Sequence, residues 1–156
     1  MTALAIYLQD HLAGATAGLE LARRAARTQR GTPAAEELTR LRDEVAQDRQ
    51  ALVQVMRTLG VRRPAYKALG GWLLEKAGRL KTNGHLVTRA PLSDLVEREA
   101  LRLGVEGKAC LWRALLALED PRLDGAALQR LLDRAQAQAR ALERLRMDAA
   151  RTVLRA

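Results

Sequence analysis

The sequence predicts an all-α protein, an up-down-down-up four-helix bundle whose long crossover carries a short fifth helix. Three observations predict it. Ala, Leu and Arg recur throughout while Phe is absent and aromatics make up only 3%, the composition of closely packed helices rather than of a sheet. Four stretches of similar length place apolar residues at helical spacing. Two of their connections are short and one, residues 61–91, is long, so neighbours joined by short loops are antiparallel while the second and third helices run parallel. With 156 residues, 48% of them hydrophobic, residues 1–156 read as a single domain with one core.

The first helix is expected over about residues 3–27, with Leu4, Leu8, Leu12, Ala15, Leu19, Ala22 and Ala26 on one face. Gly31-Thr32-Pro33 ends it. Thr32 is expected to cap the second helix, Pro33 to fill its first position, and Glu36 and Glu37 to suit its positive end. Leu38, Leu41, Val45, Leu52, Val55 and Leu59 follow heptad steps up to Gly60, and the missing member of the series is position 48, an Asp. The short fifth helix is placed at about 64–80, with Tyr66, Leu69, Leu73, Ala77 and Leu80 on one side, and Asn83-Gly84 turns the chain after it. The third long helix, about 92–118, is expected to bury Leu92, Val96, Leu103, Cys110 and Ala114. Asp124 caps a fourth, about 125–154, with Leu128, Leu131, Ala135, Leu142, Ala149 and Val153 inward.

The net charge of +9 is concentrated. Residues 61–91 hold Arg62, Arg63, Lys67, Lys76, Arg79, Lys81 and Arg89 against Glu75 alone. A basic segment attracts nucleic acid or an anionic membrane surface. This one lacks a dense cationic cluster with interleaved aromatics, so Lys67, Lys76, Arg79 and Lys81 read as a solvated basic surface and nucleic acid is not an expected partner. Cys110 is the lone cysteine, which excludes an intrachain disulfide and a CxxC motif. With no signal-peptide pattern and no apolar run of membrane length, a cytoplasmic location is expected.

The helix lengths, the long crossover and the stretches EKAGRLKTNG (75–84) and EREALRLGVEGK (97–108) carry a resemblance. The chain resembles the ferritin-like superfamily of four-helix bundles, and within it a set of bacterial proteins that lack the usual di-metal motif. That resemblance implies the crossover topology over most of the chain. Its metal-bearing members need a Glu from each of two helices and an ExxH from each of the other two. Here His11 follows Leu8 and His85 follows Thr82 at that spacing, so the oxidase and iron-storage chemistry does not carry over.

Ionisable residues nevertheless fall on the stripes that face the core: Asp48, Glu99, Glu106 and Arg146. A buried charge needs a partner. Counting helical rise along the proposed topology, Glu99 and Arg146 lie at one depth and are expected to form a structural ion pair. Asp48, Glu106, His11 and Gln138 lie nearer the middle, on four different helices. If they converge with Glu99, two or three carboxylates and an imidazole could ligate iron or manganese; the plainer expectation is a hydrogen-bonded polar layer without a cofactor. Leu101, Val105, Trp112 and Leu116 form a second apolar strip on the opposite face of the third helix, to be covered by the crossover with Trp72 or by a second subunit in a homodimer. Cys110 on the inward stripe reads as a small hydrophobe and His85 as a solvated loop residue. Taken together, the sequence reads as a non-catalytic structural or interaction module.

Overall fold

The computed structural model describes residues 2–62 and 92–155. Among them are four α-helices and no strand: α1 (Ala3–Thr28), α2 (Ala35–Thr58), α3 (Leu92–Ala117) and α4 (Gly125–Val153). The expected short helix at 64–80, the basic surface residues Lys67, Lys76, Arg79 and Lys81, and the 75–84 stretch lie outside the described residues. No described helix is long and apolar enough to cross a membrane.

The helix ends follow from local chemistry. Thr2 caps α1, its Oγ1 accepting from the Ala5 N–H at 3.2 Å. Gly31, at φ +80°, then turns the chain. Thr32 does not cap α2 as expected; its hydroxyl donates to the Gln29 carbonyl at 2.7 Å, satisfying the end of α1 instead. The second helix therefore starts two residues later, with no side-chain cap. At its far end Gly60 takes φ +69°, and the Val61 N–H reaches back to the Met56 carbonyl at 2.8 Å, closing α2 with a left-handed residue that glycine adopts without strain. Asp124 caps α4 through the Ala127 N–H at 3.0 Å, as its place before Gly125 predicts.

Helix α1 packs on α2 and α3, α4 packs on α3, and α2 meets α4 more sparingly. Cross-helix contacts give the directions. Gln29 at the end of α1 bonds Asp94 at the start of α3, Arg102 of α3 meets Glu143 of α4 while Lys108 meets Gln138, and Glu37 and Asp48 of α2 meet Arg144 and Arg134 of α4. Each of these three pairs is antiparallel. The core between them is built from leucines such as Leu8, Leu38, Leu52 and Leu142, with Met56 and Trp112 fully buried. Each such side chain contributes roughly 1.5–3 kcal/mol of transfer free energy.

Helix α3 faces the opposite way from the expected orientation. Leu101, Val105 and Trp112 are in the core and Leu116 packs against it, so the strip assigned to a dimer face is the inward one. Leu103 is 69% exposed, Leu92 and Cys110 are exposed, and Val96 and Ala114 are half-buried. The physical reason is area. Trp112 with Leu101, Val105, Leu111 and Leu115 presents far more apolar surface than Leu103, Cys110 and Ala114, and the indole alone removes about 150–250 Å² from water. Trp112 Nε1 is buried and has no hydrogen-bond acceptor among the described residues, a cost of about 1–3 kcal/mol that the burial of the ring offsets.

Candidate functional site

Once α3 is oriented, Lys108 falls on its inward face, between Val105 and Trp112 in the sequence of core positions. Its ammonium enters the bundle where α2, α3 and α4 meet, donating to Asp48 Oδ2 and to Gln138 Oε1, each at 2.5 Å. Asp48 is 2% exposed and Gln138 fully buried. The other Asp48 oxygen accepts from Arg134 of α4, which also reaches Gln47 Oε1 at 3.0 Å. Gln138 Nε2 donates to Glu44 Oε2 at 2.9 Å and, more weakly, to Asp48 Oδ2 at 3.2 Å. Arg40 closes the chain on Glu44 at 2.5 Å.

Every charge in the layer has a partner: Asp48 meets Lys108 and Arg134, and Glu44 meets Arg40, which Glu37 also holds. Burial pushes the Lys108 ammonium below the ordinary lysine value, more than the Asp48 charge beside it raises it, with Arg134 adding to the fall. Each group sits where it does for a reason of length. A short carboxylate on α2 cannot reach water, so its counter-charges must come to it, and Lys and Arg stems run along the apolar wall to do so.

The remaining residues singled out in the sequence go elsewhere. Glu99 meets Arg146 at 3.4 Å, yet the Glu99 side chain is 46% exposed, so the pair lies at the bundle surface rather than in the seam. Arg146 is bound more closely by Glu143, at 2.8 Å, which holds the Glu143 carboxyl below its usual value. Glu143 Oε2 lies 3.1 Å from Arg102 Nε, near enough for charge attraction though not aligned as a hydrogen bond. Glu106 is 47% exposed and only 4.0 Å from Arg102. His11 is half-buried, its ring edge against Tyr7 with centroids 4.5 Å apart, and burial lowers its pKa.

The expected ligand set Asp48, Glu106, Glu99 and His11 is therefore not assembled. Among the described residues no group of three or more His, Cys, Asp and Glu is placed to hold a metal ion. The reason is the orientation of α3, which turns Glu99 and Glu106 outward and brings a cationic Lys108 to Asp48. Sequence reasoning missed Lys108, Arg134 and Glu44. The heptad step from Leu101 through Val105 and Lys108 to Trp112 was the available signal, legible only from the correct face.

A second polar group closes the far end of α1. Arg98 is buried and donates to the Leu145 carbonyl at 2.7 Å and to Gln29 Oε1 at 3.2 Å, while Gln29 Nε2 holds Asp94 at 2.7 Å. Glu97, also buried, meets Arg24 at 2.9 Å. Two surface clefts, of 240 and 340 Å³, lie at the α3–α4 turn and along the α3–α4 groove, and neither is lined by Asp48, Lys108 or Gln138. Searches against protein-family models, curated proteins and solved structures returned no match to this chain.

Proposed function

We propose that this chain is a non-catalytic structural or interaction module of ferritin-like, up-down-down-up order, with an ion-pair layer in the position where metal-bearing bundles hold their ligands. The antiparallel contacts of α1 with α3, of α3 with α4 and of α2 with α4 support the order of the helices. One observation carries the rest: the Lys108 ammonium is seated on Asp48 Oδ2 and Gln138 Oε1. An ammonium seated on the most buried carboxylate already occupies the oxygen a divalent ion would need, and while protonated it opposes that ion, because two like charges a few ångströms apart in a poorly solvated site repel strongly. Neither of the two clefts described above is lined by Asp48, Lys108 or Gln138. Such polar layers fix helix register and partner choice rather than chemistry. A lone thiol, Cys110, suits a reducing cytoplasm.

Metal analysis of the purified protein, together with thermal melts in added Fe(II), Mn(II) and Zn(II), tests the reading. The expected result is no bound metal and an unmoved Tm. Stoichiometric metal with a raised Tm, as mass action requires of any ligand that binds the folded state, overturns it.

A further inference from the structure

The outer face of α3 carries exposed apolar residues between its charges. Leu92, Val96, Glu99, Leu103, Glu106, Cys110, Arg113 and Ala117 follow each other at alternating steps of four and three, the spacing of a coiled-coil seam. Apart from the half-buried Val96 and Glu106, all are exposed. The charges on this seam are polar along its length: Glu99 and Glu106 lie in the first two thirds and Arg113 in the last. Both carboxylates are held only loosely within the chain, at 3.4 Å by Arg146 and at 4.0 Å by Arg102. Arg113 has no ion pair among the described residues.

We propose that a second copy of this chain packs on this face, α3 against α3, antiparallel about a two-fold axis. The charge pattern selects the direction. A parallel pair stacks Glu on Glu and Arg on Arg. An antiparallel pair that sets Leu103 against Arg113 of the second copy seats that guanidinium between Glu99 and Glu106, and symmetry makes the contact twice. Leu103 and the small residues Cys110 and Ala117 fill the seam and allow close approach. In this register the two Cys110 positions are offset by four residues, roughly 6 Å along the axis. A single helix face buries on the order of 1,000 Å² in total, which places the pair among weak, reversible dimers. The pairing rests on the chain being an interaction module, and the metal measurements above are indifferent to it.

Light scattering and cross-linking of the full chain test the proposal. The mass should rise with concentration from 17.2 kDa toward twice that value, and a short bismaleimide should join the two Cys110 thiols in the dimer. Arg113→Glu, at an exposed site where the helical circular dichroism should not change, weakens the dimer at least about tenfold, since each substitution puts a carboxylate between two others. The combined reversal Glu99→Arg, Glu106→Arg and Arg113→Glu restores it. A mass fixed at 17.2 kDa overturns the proposal, as does a dimer indifferent to Arg113→Glu. A monomer whose Cys110 resists maleimide overturns it too, and assigns the cover of this face to the chain's own residues.

Discussion

Two sets of charges along α3 and α4, the inner one centred on Asp48 of α2, sit a few turns apart and have opposite fates. Lys108 with Asp48, Gln138 and Arg134 lies inside the bundle, with the Asp48 side chain 1% exposed. Glu99, Arg146, Glu143 and Arg102 form a ladder along the outside, each partly in water. The inner set is short of alternatives, because a carboxylate removed from water must be met by cations and donors or it cannot stay ionised. The outer set can exchange every contact for solvent. The inner charge contacts are also the shorter, with Lys108 at 2.5 Å from Asp48 against 2.8 to 3.4 Å in the outer ladder, and only the inner ones decide how three helices must align.

The comparison breaks most visibly at Asp48. Asp48→Ala leaves the Lys108 ammonium and Arg134 facing each other beside Gln138 with their shared carboxylate gone, and is expected to cost about 3–5 kcal/mol in denaturant unfolding. Replacing Asp48 and Lys108 together by Leu and Met is expected to recover part of that loss, since no unpaired ammonium then remains, while Arg134 still loses its carboxylate and the buried Gln138 Oε1 its donor.

A smaller effect follows from pH. Because the folded-state pKa of Lys108 lies below its value of 10.5 in the unfolded chain, the unfolded chain holds the proton longer as pH rises. Unfolding free energy must therefore increase with pH through the window below 10.5, as the cost of burying the charge is relieved, and the cost is present in full at lower pH. Titrating stability from pH 7 to 10.5 in the native protein and in Lys108→Met should show this rise only in the former, and parallel curves would show that Lys108 is not buried as a charge.

Much of this architecture was written in the chain. The four long helices end within two residues of where their caps and breakers place them, because Gly31, Gly60 and Asp124 act locally. Asp48 and Gln138 were legible as buried polar residues, since their neighbours on α2 and α4 offer a single apolar stripe each. Helix α3 offers two, and periodicity does not say which of two stripes is inside. Total apolar area does, and Trp112 weighs it. That one rotation turned Glu99 and Glu106 outward, hid Lys108 and put the expected dimer face in the core. Thr32 shows the same limit on a smaller scale: its place in the sequence suits the end of α1 as well as the start of α2, and its hydroxyl donates to the Gln29 carbonyl while α2 starts at Ala35 without a side-chain cap.

The central claim is that Asp48 and Lys108 hold each other inside the bundle. A double-mutant cycle over Asp48→Ala and Lys108→Met, read from equilibrium unfolding, tests it most directly, with the same cycle over Glu99 and Arg146 as the outer reference. We expect a coupling of at least about 1.5 kcal/mol for the inner pair and none measurable for the outer one. Additive inner mutations, with the two pairs behaving alike, would contradict the account.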